Sequence, residues 1–152
     1  AGKAVLIGTY THAHSEELIE FLKNLIQQVE AGHLISLCEE YVNAVLSQDA
    51  QNNKELVEQI RMLPQQLGPK GCMNHHRACI TWEDHAEKIR GKLTPTLILA
   101  GENDLAVLPA ETQKIQNLLP NGVFKIIPAA GHLSTLDQPV AMNKLLQDWF
   151  VA

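Results

Sequence analysis

The 152 residues suit one domain, and a folded chain of this length buries roughly 70% of its unfolded surface. A hydrophobic share of 45%, a charged share of 19% and a formal net charge of −5 fit an ordinary globular chain. They exclude a nucleic-acid partner, which needs clustered Lys and Arg, whereas the twelve here are scattered. No stretch approaches the ~20 apolar residues of a membrane span, and the apolar part of the start is too short for a secretory signal. Three unpatterned cysteines, Cys38, Cys72 and Cys79, read as reduced thiols, so a cytoplasmic protein is expected.

Val5-Leu6-Ile7, followed by Gly8-Thr9, is a short apolar run with the look of a strand buried on both faces. The period then changes. Ser15 is an N-cap candidate with Glu16 and Glu17 in the first turn, and Leu18, Phe21, Leu22, Leu25, Ile26 and Val29 follow at helical spacing up to Gly32. A second amphipathic helix runs through Leu34, Leu37, Cys38, Tyr41, Val42 and Val45, and residues 49–53 form a polar break. Leu56, Val57, Ile60 and Leu63 predict a third helix ended by Pro64, with residues 65–71 as a loop. Short helices are expected over 72–82 and 84–89. From Pro95 the pattern alternates: strand 96–100, helix 110–119, strand 123–127, helix 139–150. Such alternation means parallel strands with helices on their faces.

Two late stretches carry chemistry. Thr96-Leu97-Ile98-Leu99-Ala100-Gly101-Glu102-Asn103-Asp104 and Phe124-Lys125-Ile126-Ile127-Pro128-Ala129-Ala130-Gly131-His132 are apolar runs that each end in a tight turn bearing a titratable residue, first an acid and then an imidazole. Loops at the carboxyl ends of parallel strands are where catalytic groups gather. An imidazole also needs a carboxylate on its second nitrogen to hold one tautomer. Glu102, on the turn before Asp104, reads as a solvated residue. His12, His14, His75 and His76 read as solvated rather than metal-binding, and His33 and His85 as surface residues. Trp82, Trp149 and Phe150 are expected in the core. With no phosphate loop in the sequence, neither cofactor nor metal is expected.

Pro95-Thr96-Leu97-Ile98-Leu99-Ala100-Gly101-Glu102-Asn103-Asp104, with Pro109 beyond it, closely resembles the acid-bearing strand and loop of the α/β-hydrolase superfamily. Ala130-Gly131-His132-Leu133 with Asp137-Gln138-Pro139 is similar to that family's histidine loop and last helix, and Val5-Leu6-Ile7-Gly8 to the strand after the nucleophile's helix. The resemblance implies an α/β fold: a partial parallel sheet of about three strands with a helical cap insertion. Residues 1–11 and 92–152 would form the partial core and residues 12–91 the cap. It makes His132 the general base and Asp104 its orienting partner, in something like the C-terminal half of a carboxylic-ester or related hydrolase.

That family's nucleophile stands on a Gly-x-Ser-x-Gly elbow ahead of both residues. None occurs here; Ser15, Ser36, Ser47 and Ser134 lack the flanking glycines, and an Asp in that position is equally absent. Losing a triad nucleophile costs on the order of 10⁶ in rate, so the chain alone is expected to be inactive. An open strand edge leads to the expectation of a homodimer or of a complementing N-terminal hydrolase half, with a small-molecule ligand. The alternatives are a non-catalytic small-molecule-binding or interaction module derived from the fold, and a fragment whose reading frame continues upstream.

Overall fold

The computed structural model describes residues 2–151. In chain order these form β1 (Ala4–Ile7), α1 (Glu16–Glu30), α2 (Leu34–Val45), α3 (Lys54–Ile80), α4 (Ala86–Ile89), β2 (Thr96–Gly101), α5 (Pro109–Gln113), β3 (Gly122–Ile127), α6 (Ser134–Asp137) and α7 (Pro139–Val151). Single 3-10 turns lie at Ala50–Asn52 and Lys114–Leu118.

The three strands are parallel in the order β1-β2-β3, with Val5 opposite Leu97 and Leu97 opposite Val123. β2 is the centre, and every one of its residues is buried. Successive side chains of a strand point to opposite faces, so β2 serves two cores. Leu97 and Leu99 join Ile127, Ala130 and Met142 on one face, and Ile98 joins Ile115 and Leu119 on the other. The expectation that β1 is buried on both faces is corrected. It is half-buried throughout, because a strand with one neighbour has an uncovered side.

The helical layer starts as its capping chemistry dictates: the Ser15 hydroxyl accepts the Leu18 N–H at 3.2 Å. The expected stop at Pro64 and loop over 65–71 are not found. The helix runs through Pro64 and kinks at Gly68, whose φ of 74° and ψ of 167° lie outside helical values. Pro69 disfavours helical backbone in the residue before it, glycine accepts the positive φ without a Cβ clash, and a proline lacking its N–H fits the first position of the next run. The Cys72 thiol donates across this kink to the Pro64 carbonyl at 3.3 Å. Both α1 and α2 pack on α3.

At the C-terminus α7 turns Met142, Leu145, Leu146 and Trp149 onto the sheet, a stripe at helical spacing. Phe150 falls one residue past that stripe and is 58% exposed, and Trp82 is 40% exposed, so neither is the core residue expected. The helix expected over 110–119 divides into α5 and a 3-10 turn, and α6 had no counterpart in the sequence pattern. Among the described residues no helix is long and apolar enough to cross a membrane.

Candidate active site

Because the strands are parallel and in register, their carboxyl ends lie side by side. The segments that follow deliver Gly8 from β1, Asp104 from β2 and His132 from β3 to one place. His132 Nδ1 lies 2.9 Å from Asp104 Oδ2. The Asp104 side chain is fully enclosed, and its other oxygen accepts the N–H groups of Ala106 at 2.9 Å and Val107 at 2.8 Å, an Asx-type turn that fixes the carboxylate. A carboxylate oxygen only accepts, so Nδ1–H of His132 donates and Nε2 keeps its lone pair. Nε2 has no hydrogen-bond partner among the described residues, and the His132 side chain is 28% exposed. The pair can therefore take up a proton at Nε2 and hold the resulting imidazolium against a buried carboxylate.

Gly8 abuts this pair. A Cβ at its position would sit 3.2 Å from His132 Nδ1 and 3.3 Å from Asp104 Oδ2, and its φ is +52°. The histidine loop is held from two further sides. Asn103 N–H donates to the Ala130 carbonyl at 2.8 Å, and Leu133 N–H to that of Val45 at the end of α2 at 3.0 Å. The Asp137 carboxylate accepts Gly131 N–H at 2.6 Å, Ser47 N–H at 2.9 Å and the Ser47 hydroxyl at 2.8 Å. Thus α2 and the histidine loop share one acceptor. Glu102 reaches the Ala129 N–H at 2.9 Å instead of the imidazole, which leaves Asp104 as the acid partner.

No family model matches the chain. A 57-residue stretch, 38% of the chain and 10% of the relative, is 32% identical to bifunctional epoxide hydrolase 2 of Sus scrofa. Among solved structures, a thermophilic esterase from Thermogutta terrifontis superposes with a TM-score of 0.87 at 24% identity, covering 96% of this chain and 54% of the esterase. The enol-lactonase from Burkholderia xenovorans LB400 gives 0.85 at 17% identity, covering 99% of this chain and 56% of that one. The chain carries part of the α/β-hydrolase fold. It spans little more than half of those two structures, and the α/β-hydrolase fold it shares with them includes the helical layer as well as the sheet.

Within this portion of the α/β-hydrolase fold the remaining candidates make other contacts. His12 Nδ1 stands 3.7 Å from Glu111 Oε2, and the Tyr10 hydroxyl bonds His14 Nε2. Burial, then the neighbouring His12, lowers the His14 pKa. His85, expected at the surface, is half-buried with its ring 5.1 Å from that of Trp82. Among the described residues no three His, Cys, Asp or Glu side chains gather as metal ligands. Sequence reasoning missed Gly8 and Ser47 as neighbours of the site. It had noted Asp137 only as part of a motif; its place just ahead of Pro139 and α7 was the available signal.

Proposed function

We propose that the chain supplies the acid–base machinery of a hydrolase acting on carboxylic esters or related carbonyl compounds. In this reading His132 Nε2 takes the proton of the attacking group and returns it to the leaving group, while Asp104 holds the tautomer and stabilises the imidazolium. The 2.9 Å contact between His132 Nδ1 and Asp104 Oδ2 at the carboxyl end of the sheet carries this reading. The esterase and the enol-lactonase with which the chain superposes support the substrate class. The attacking group comes from outside these 152 residues, on a complementing N-terminal half, and without it the chain turns over little ester. The outer edge of β1, unpaired among the described residues, is where a strand of that half, or of a second copy, adds on.

The test mixes the chain with a separately expressed, elbow-bearing half of an α/β-hydrolase and follows p-nitrophenyl acetate. Turnover should appear, vanish with His132→Ala and fall by about 10⁴ with Asp104→Asn. Failure of every elbow-bearing half, or turnover indifferent to His132→Ala, overturns the reading.

A further inference from the structure

The helical layer borders a partly open space that the Asp–His pair does not use. Between α1, α2 and α3 lies a cavity of about 350 Å³, lined by Phe21, Leu25, Leu37, Tyr41, Leu63 and Leu67. The buried Cys38 and Cys72 also line it. No residue of the sheet, of the Asp104 turn or of the histidine loop lines it. Helix α2 stands between the two regions. Its Cys38, Tyr41 and Ala44 line the cavity, whereas Val42 and Val45 pack with Leu46, Leu56, Ile60 and Leu133.

Protein interiors are close-packed, so a space of this size leaves its lining without the dispersion contacts that neighbouring atoms normally supply. An apolar lining offers water few partners, and a dry cavity of roughly 150 Å³ already admits benzene. The volume here falls at the lower end of the range of small-molecule sites, roughly 300–1,000 Å³. The lining side chains of Phe21, Leu63 and Leu67 are 56%, 48% and 56% exposed, so the cavity opens to solvent past apolar groups.

Charge narrows the ligand. Among the described residues that line the cavity, Glu40 is the one carboxylic side chain, and no Lys or Arg is present. His76 is held towards its neutral form by burial and by the adjacent His75. A carboxylate headgroup would enter without a cationic partner and beside Glu40, at the cost of its own desolvation. We propose that this cavity is a binding site for a small, neutral, mainly hydrocarbon molecule of about two-ring size. Such a ligand can carry one hydroxyl or similar group to meet Tyr41 or the two histidines. The site does not depend on the hydrolase reading, since it shares no residue with the pair.

The experiment titrates the full chain with N-phenyl-1-naphthylamine, a neutral fluorophore, at about pH 7.5. Saturable binding of one probe per chain at micromolar concentration is expected, with 1-naphthol displacing it at about tenfold lower concentration than 1-naphthoate. Leu67→Trp, which fills the exposed rim, and Ala44→Phe, which fills the interior, should each weaken the probe by about tenfold or more. Leu67→Trp alone decides should Ala44→Phe lose its helical circular dichroism. His132→Ala should leave binding unchanged, so failure of the hydrolase reading and failure of this one are separable. Unsaturable fluorescence, equal displacement by naphthoate, full binding by the filled variants, or exclusion of the probe by self-association overturns the proposal.

Discussion

Asp137 accepts the Gly131 N–H at 2.6 Å, and the same carboxylate takes both donors of Ser47, so one side chain joins the histidine loop to the end of α2. Removing an acceptor that serves three donors leaves them unpaired, each at a cost of about 1–3 kcal/mol where water is excluded. Asp137 and its partners are partly buried. Asp137→Ala should therefore lower unfolding free energy by about 2–4 kcal/mol in urea melts, and Asp137→Asn, which keeps an acceptor oxygen, by less than half of that. Equal losses from the two variants would show that the carboxylate is not acting as a shared acceptor.

Gly8 makes a second test of how the pair is enclosed. Its Cβ position lies 3.2 Å from His132 Nδ1, tighter than ordinary packing, and its φ of +52° disfavours any side chain. Gly8→Ala should cost about 1–3 kcal/mol, part from the left-handed backbone and part from displacement of the imidazole. Gly91→Ala supplies the control, since φ there is +73° and nothing lies within 4 Å of the added Cβ. The hydrogen-bonded Nδ1 proton of His132, read by NMR, should shift in the Gly8 variant and stay in place in the Gly91 variant. A silent Gly8→Ala would mean that β1 does not confine the pair.

The sheet was legible because β2 writes its burial directly as Thr96-Leu97-Ile98-Leu99-Ala100, and because Asp104 and His132 follow two such runs at equivalent points. What stayed hidden depends on tertiary relationships. Pro64 is a sound helix breaker in isolation, yet packing of α3 against α1 and α2 carries the helix through it, and the Gly68–Pro69 pair takes up the bend instead. Whether β1 is central or peripheral depends on how many neighbours it has, which its own residues do not encode. The bridge from Asp137 to Ser47 spans 90 positions and has no local signature at all.

Asp104 performs two tasks that substitution can separate. Its Oδ1 organises the turn through Ala106 and Val107, and its Oδ2 faces His132. Asp104→Asn keeps an oxygen for the turn but presents N–H donors to the ring, which must then accept at Nδ1 and carry its proton on Nε2. Nitrogen NMR of His132 should show that exchange of tautomer, with a stability loss of about 1–2 kcal/mol. Asp104→Ala strands the turn amides as well and should cost about 3 kcal/mol or more. An unchanged ring tautomer in Asp104→Asn would deny the contact its orienting role.

Two histidines outside the pair set an acid limit on stability. Burial, then the neighbouring His75, lowers the pKa of His76 from its ordinary 6.5; His14 is lowered by burial and then by His12, against a smaller opposing effect of the Cys79 backbone. Unfolding restores both to ordinary values, so as pH falls through 6.5 the unfolded chain binds protons that the folded one refuses. The stability these residues contribute is complete above that pH and is lost progressively below it, down to the depressed folded values. Urea melts at about pH 7.5 and about pH 5 should show a larger acid loss for the wild type than for a His14→Asn, His76→Asn double variant. Identical losses would mean that these imidazoles are not held neutral by the fold.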